Sequence, residues 1–591
     1  MTSQSLPPGA RTAAEARTAA GTRIASGARV RARTPTRTRA TTEPRTAADA
    51  RTPPGPRTPS PRSGIPPSRA GVPPPGARTP ADAGPAPRAD TRTPSGVPEA
   101  GAVQLASFGP PRVLAGLEQV RRLDRATHLR VHGSPPPLRA GELLELAELT
   151  GLRGRGGAGF PLARKLRAVL HTAARRGART AVVVNACEGE PASLKDTALL
   201  LHTPHLVLDG ALLAAEALGA REVCVGVTRR DVASSVQEAL AARGTEAARA
   251  RVRVALLPDR YVTGESSALV NGLGQAPALP SGSRREHVSD AGVGGAPTLL
   301  CNAETFAQLA LVARLGPTGF RAKGLPAEPG TVLLTVAGSR VLETPTGVPL
   351  AYLLELCGTP PGQGVLVGGY HGGWLGPHAA RAARVSRESL ESLGGTLGAG
   401  AVLPLPEETC PVGETVRVAH WLARESAGQC GPCVLGLPAL AAELERAAEG
   451  AGSSAALDSV RRRARALAGR GACTHPDGTA RFVTSALSAF ADDYAAHAAG
   501  RPCGRPVLGS LPAPGVPLSS PSAPARDTAR LVVNWALCQG HGLCAGVVPG
   551  LVQLSPDGYP THSSIPVPAH LRRDAQRAVR RCPALALRVE G

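Results

Sequence analysis

The run GLRGRGGAGFPLARK, Gly151 to Lys165, has glycine at four of the six positions from Gly154 to Gly159, a density that disfavours any helix or strand interior. It has to be a loop. With no side chains at Gly154, Gly156, Gly157 and Gly159, its backbone N–H groups can approach a phosphate, and a helix starting after it would add a positive end. A second run, VVVNACEGEPASLKD from Val182 to Asp196, reads as a buried strand ending in a polar loop that carries Asn185, Glu188, Glu190 and Lys195. In an open α/β sheet, ligands sit at the carboxyl ends of strands, where this loop falls. From about 111 to 325, β-branched runs (Ala181 to Val184, Val223 to Val227) alternate with alanine-rich amphipathic segments such as Val207 to Leu218. The expected fold class is therefore α/β.

Composition narrows the function. Lysine plus arginine is 67 against 45 acidic residues, yet the only lysines are Lys165, Lys195 and Lys323. That bias suits a high-GC coding preference rather than a basic binding surface. Two of the three lysines fall in the two motifs above, which points to a need there for a compact ammonium. Of the net charge of +22, +10 lies in residues 1–100, which hold 16 arginines and six acids. With 5 Tyr, 3 Trp and 6 Phe there are too few rings to interleave as stacking platforms, so nucleic acid is not an expected partner. The chain lacks an apolar run of about 18 residues, so no membrane span is expected. Its first residues, MTSQSLPPGA, lack a secretory pattern, so the 12 cysteines suggest metal or redox chemistry, and the expected location is cytoplasmic.

Residues 1–110 repeat RTAA and RTP units almost without large apolar side chains and are expected to be disordered: a docking arm, a solvated tail, or a stretch that is never translated. Short strands and glycine-rich turns occupy 326–408, and helices return over 409–505 (His420 to Ser426, Leu435 to Ala448, Leu457 to Leu467, Val483 to Ala498). A proline–serine linker over 506–528 leads to a module at 529–591 with three cysteines.

GRGGAGFP, N-A-x-E-x-E-P-x-x-x-K-D, YVTGES-SAL (Tyr261 to Leu269) and PTLLCNAET (Pro297 to Thr305) resemble, in order and spacing, the flavin subunit of respiratory complex I and its relatives in NAD-linked hydrogenases and formate dehydrogenases. The resemblance spans roughly 111 to 503. It implies a Rossmann-like FMN-binding domain, a β-grasp domain of the SLBB type and a helical iron–sulfur bundle. By that match Gly154, Arg155, Gly156, Gly157, Lys165, Asn185, Glu188 and Asn302 line the FMN, Gly159 belongs to the same cofactor-binding loop, Phe160 is a ring on which the dinucleotide stacks, and Glu190 and Glu265 lie near the nicotinamide end as catalytic groups.

The family's cluster motif, E-S-C-G-x-C-x-P-C with a distal cysteine, appears here as ESAGQCGPC, Glu425 to Cys433, with Cys473 downstream. Cys430, Cys433 and Cys473 match, but the first ligand is Ala427, and alanine cannot ligate iron. A [3Fe–4S] cluster, a [4Fe–4S] cluster with a replacement ligand, or no cluster would each fit; His475 is the nearest spare ligand, though an ordinary loop histidine is the simpler reading. The last module, with Cys538, His541, Cys544 and Cys582 followed by Pro583, resembles small single-cluster bacterial ferredoxins of α+β fold, with His541 where a fourth cysteine would stand. Three thiolates favour [3Fe–4S]; His541 could complete [4Fe–4S]. Cys187, Cys224, Cys301, Cys357, Cys410 and Cys503 read as buried or incidental thiols.

The nicotinamide site departs from the family. Phe160 is kept, but Ala168 stands where a second aromatic is expected, REHVS (Arg285 to Ser289) replaces a phenylalanine-bearing segment, and Ser266 replaces a second glutamate. Each lost ring forfeits about 1–3 kcal/mol of stacking. Two functions therefore stand side by side: an oxidoreductase passing electrons from NAD(P)H through FMN and clusters to the fused ferredoxin, or an electron relay that has lost nicotinamide binding. In both, the implied partner is a redox protein such as a membrane reductase or a cytochrome. A third reading, an arginine-rich binding arm with vestigial flavin loops, leaves the survival of two cofactor motifs unexplained.

Overall fold

The computed structural model describes residues 103–282, 287–450, 454–516, 529–567 and 571–590. Its α/β part is built on four parallel strands in the order Val252–Leu256, Val223–Val227, Ala181–Ala186, Thr298–Asn302. Ala181–Ala186 is buried at every position but Asn185, as a central parallel strand covered by helices must be. From it the chain runs outward through Val223–Val227 and Val252–Leu256, then returns to lay Thr298–Asn302 against the opposite side. The carboxyl ends of Ala181–Ala186 and Thr298–Asn302 thus flank a topological switch point, with Asn185 and Asn302 paired in register. Helices Pro204–Ala217 and Ala303–Arg321 pack together on this sheet. A Cβ on Gly210 would stand 1.9 Å from the Phe306 carbonyl oxygen, so that crossing requires glycine.

A mixed six-stranded sheet follows, ordered Gln104–Ser107, Arg340–Pro345, Thr331–Val336, Ala401–Leu405, Gly364–Val367, Gly373–Leu375. Its edge strand, Gln104–Ser107, corrects the expectation of a disordered tail reaching residue 110. That strand is only partly buried, and it is held by pairing with Arg340–Glu343, which composition does not report. The rest of the tail, 1–102, lies outside the described residues.

The bundle contains Pro411–Arg424, Leu437–Ala448, Ser454–Leu467, His475–Ala489 and Ala491–Ala498. The first helix starts well before His420 because Pro411 occupies its first turn and the Cys410 thiol caps it, accepting from the Gly413 N–H at 3.3 Å. The expected helix Val483 to Ala498 is broken at Phe490, whose φ of −120° and ψ of 41° are not helical. The expected linker also begins later than 506. Glu414 accepts from the N–H groups of Gly509 and Ser510 at 2.6 and 2.9 Å, and Leu511 and Ala513 are buried in the bundle core. The final module is a three-stranded antiparallel sheet, Ser564–Pro566, Arg530–Val533, Leu587–Glu590, with helices Leu543–Val547 and Arg572–Arg581. Among the described residues no single helix is long and apolar enough to cross a membrane.

Candidate functional site

The glycine loop closes on itself where the Gly154 N–H donates to the Phe160 carbonyl at 2.9 Å. Gly157 and Gly159 adopt φ of +117° and +60°, which only glycine accepts freely. The loop lies against the end of Thr298–Asn302, since a Cβ on Gly156 would come 3.1 Å from the Asn302 Cβ. It is gripped from the far side by Arg387, whose Nη2 donates to the Gly154 carbonyl at 3.1 Å and Nη1 to the Gly157 carbonyl at 3.3 Å. A Cβ on Gly159 would come within 2.5 Å of that guanidinium. Nothing in an arginine-rich sequence marks Arg387, and sequence reasoning missed it. Among the described residues the N–H groups of Gly156, Gly157 and Ala158 have no acceptor, leaving a row of donors at the switch point.

Beneath the loop is a polar floor. Asn302 caps Ala303–Arg321 by accepting from the Glu304 N–H at 3.1 Å, and the same oxygen accepts from Lys195 Nζ at 2.9 Å. Lys195 is buried, with Asp196 Oδ1 at 2.8 Å and Glu304 Oε2 at 3.2 Å. Burial alone would lower its ammonium pKa; Asp196 and Glu304 outweigh that and hold it above the ordinary value. Asn185 donates to the Gly264 carbonyl at 2.9 Å. Glu188 accepts from Ser193 Oγ and from the N–H groups of Asp196 and Thr197 at 2.7, 3.1 and 3.0 Å, capping the helix Lys195–His202; burial and then Asp196 raise its carboxyl. Lys165 Nζ donates to the Leu300 carbonyl at 2.9 Å. Arg155 donates its N–H to Thr305 Oγ1 at 2.9 Å, and its buried guanidinium reaches the Thr331 carbonyl at 3.1 Å. The glycine loop thus sits at the carboxyl ends of the two strands, over a floor in which Asn185, Asn302, Lys195, Glu188 and Arg155 are bonded to their neighbours.

Glu190 is buried beside this floor and accepts from the Tyr370 N–H at 2.6 Å and from Tyr261 Oη at 3.3 Å. Burial pushes its carboxyl up to about 7. A Cβ on Gly369, at φ +78°, would meet Glu190 Oε2 at 2.4 Å, so the Gly368-Gly369 turn is what lets the two approach. Glu265 instead caps the helix Ser266–Leu273, accepting from the N–H groups of Ser267 and Ala268, each at 3.0 Å. Phe160 is exposed, with the Arg164 guanidinium 5.4 Å above its ring. Arg285 and Glu286 lie outside the described residues.

Two groups of thiols are assembled elsewhere on the chain. Cys430 and Cys433 have their sulfurs 3.6 Å apart at a π-helical turn, Pro432–Gly436. Burial and Cys430, with Cys473 also nearby, push the Cys433 thiol up to about 11. Ala427 is half-buried. His475 does not fill the gap: its Nε2 pairs with the Leu422 carbonyl at 2.8 Å and its Nδ1 with His371 at 3.1 Å, and burial pushes it down to about 4. In the last module Cys538, His541, Cys544 and Cys582 line one recess together with Pro583. Burial raises the Cys544 thiol, with Cys538 and Cys582 adding to the effect. Cys187, Cys224, Cys301, Cys357 and Cys410 are buried and Cys503 is half-buried.

These features coincide with three known domains. Residues 148–311 match the Nuo51 FMN-binding domain, 414–497 the NADH-ubiquinone oxidoreductase-F iron-sulfur binding region, and 531–589 a 4Fe-4S single cluster domain. The F subunit of the Mycobacterium tuberculosis NADH-quinone oxidoreductase is 30% identical over 388 residues, covering 61% of this chain and 86% of that protein. The chain belongs to the family of NADH-quinone oxidoreductase F subunits. The Streptomyces coelicolor member is also 30% identical, over 389 residues, covering 61% of this chain and 84% of its own length. A chain of the NAD+-reducing [NiFe]-hydrogenase in the H2-reduced state is 27% identical, with a TM-score of 0.58, covering 67% of this chain and 68% of that chain. This family member is thus an FMN and iron–sulfur flavoprotein of the NADH dehydrogenase type, and its mixed α/β fold is shared with the hydrogenase chain.

Proposed function

We propose that this member of the NADH-quinone oxidoreductase family passes electrons from NAD(P)H through FMN and the bundle cluster to its own ferredoxin module, and from there to a protein acceptor. Residues 111–325 would hold the FMN, 326–408 form the SLBB-like domain, 409–505 hold the bundle cluster and 529–591 form the ferredoxin. A cytoplasmic location belongs to the same proposal. The observation that carries it is the set of unpartnered N–H groups of Gly156, Gly157 and Ala158 at the switch point, on a chain that also gathers two separate groups of three thiols. The loop donors fit a phosphate, and the amides of Asn185 and Asn302, held by their own hydrogen bonds, fix the floor beneath it. FMN bound there would supply hydride acceptance from the dinucleotide and single-electron release to the clusters.

The chain's own residues then have distinct tasks. Arg387 holds the loop backbone in the shape that turns its donors outward. Lys195 orients Asn302, and Lys165 ties the following helix to the sheet through Leu300. Glu190, poised near neutrality, holds or yields a proton at its carboxyl beside the reacting face. Phe160 offers a ring to the dinucleotide. Cys430, Cys433 and Cys473 fit an iron–sulfur cluster lacking one protein thiolate, and Cys538, His541, Cys544 and Cys582 fit a cluster with one histidine ligand.

A second reading, a relay without nicotinamide binding, is favoured by Ala168 and by Arg164 covering the ring of Phe160. Anaerobic titration with NADH separates the two. Rapid bleaching of the flavin absorbance supports the NADH-driven reductase; a flavin that dithionite reduces and NADH does not overturns it in favour of the relay.

A further inference from the structure

Three side chains used by neither the flavin crevice nor the thiol groups above meet where the bundle closes on itself. Cys410 caps the first bundle helix, His497 stands near the end of the last, and Cys503 lies in the segment leading out. One ligand atom from each lies within 4.8 Å of the others. The closest pair measured is Cys410 Sγ to His497 Nε2, at 3.6 Å. Zinc–sulfur bonds of about 2.3 Å and zinc–nitrogen bonds of about 2.0–2.1 Å at a tetrahedral angle put sulfur and nitrogen about 3.6 Å apart, which is the spacing found.

The histidine is also turned the right way. Its Nδ1 lies 3.0 Å from the Ala448 carbonyl, which can only accept, so Nδ1 carries the hydrogen and Nε2, 3.6 Å from Cys410 Sγ, is left as an acceptor. That is the tautomer a metal-ligating histidine adopts when its other nitrogen is fixed by a carbonyl. The Cys503 N–H now donates to the same Nε2 at 3.1 Å, so a bound cation would displace that hydrogen bond. The Arg505 guanidinium lies beside Cys503. Cys410 and His497 are buried, so little water competes at the site.

We propose that Cys410, His497 and Cys503 bind a zinc ion through two thiolates and Nε2, with a water or hydroxide in the fourth position. The ion is a staple. It ties the first and last helices of the bundle to the segment that leads toward the C-terminal module. The Cys410 N–H bond to the Pro506 carbonyl at 2.8 Å already lays that segment beside the same helix start. Two cysteines are thereby moved out of the class of incidental thiols, independently of how the flavin is used.

The full chain, purified anaerobically with its flavin and clusters, is equilibrated with Zn2+, passed over a chelating resin, and assayed for zinc, iron and flavin; zinc K-edge absorption reads the coordination shell. Stoichiometric zinc with two sulfur neighbours is expected, and its loss in both Cys410→Ser and Cys503→Ser with iron and flavin contents unchanged. Serine at 410 can still accept the Gly413 N–H, so zinc loss there is separable from loss of the helix cap. Wild-type protein that retains no more zinc than the two variants overturns the proposal. So does retained zinc that survives both substitutions but is lost in Cys433→Ser, because it would then be held by the cluster cysteines.

Discussion

Replacing Glu190 by glutamine isolates a carboxyl that burial lifts to about 7. Glu190 is 9% exposed, and burial raises it from the ordinary 4.5 to about 7. At about 1.4 kcal/mol per pH unit, that rise corresponds to about 3 kcal/mol. The sign follows from proton counting. Between these two values the folded chain holds a proton that the unfolded chain has released, so this group's contribution to stability is full below about pH 4.5 and is lost as pH rises to about 7. Glutamine keeps a carbonyl for the Tyr370 N–H but does not ionise. Glu190→Gln should therefore gain on wild type as pH increases, by up to about 3 kcal/mol, and the gain should level off above about pH 7. The assay is the difference between variant and wild-type thermal midpoints, read by flavin release from about pH 5 to about pH 8, since a difference tolerates non-two-state unfolding. A stopped-flow profile of flavin reduction by NADH should lose an inflection near the same pH in the variant. Midpoint curves that stay parallel across the range would refute the reasoning, because the carboxyl would then be ionised throughout.

Ala427→Cys should complete the bundle ligand set and raise the iron content, with a changed EPR spectrum; unchanged iron and spectrum would mean that the site is not assembled. Arg387→Lys keeps the charge but loses the fork that grips Gly154 and Gly157. It should weaken FMN retention by about tenfold or more, roughly 1.4 kcal/mol, read by fluorescence of the released flavin. His541→Ala should remove one iron from the C-terminal module and produce a three-iron EPR signal, whereas an unaltered signal would make His541 a bystander in the recess.

The legible parts were those in which chemistry is local. The strand Val223–Val227 was bounded to the residue, because a β-branched run buried on both faces has few alternatives. The glycine loop and the C-terminal cysteine group were legible for the same reason: backbone freedom and thiol chemistry belong to the residue itself. The sulfurs of Cys430 and Cys433, expected to act together, lie 3.6 Å apart, and position 427 is plain in the sequence as an alanine. Roles were harder to read. Lys195 was singled out as a compact ammonium, and only the structure names its partners, Asp196, Asn302 and Glu304. Glu188 spends its carboxylate on a helix end. His475, weighed as a replacement ligand, has both ring nitrogens engaged.

What the sequence determined by itself was which segments must be loops, strands or helices and which atoms could bind phosphate or iron. These follow from φ freedom, side-chain branching and ligand chemistry. Tertiary structure alone decided which of those atoms remain available and what stands beside them. Arg387 grips a loop 230 residues away, Gly369 clears space for Glu190, and Cys410 meets His497 across the bundle. Such pairings arise from how sheets and helices pack, and packing joins residues whose separation along the chain carries no trace of the contact.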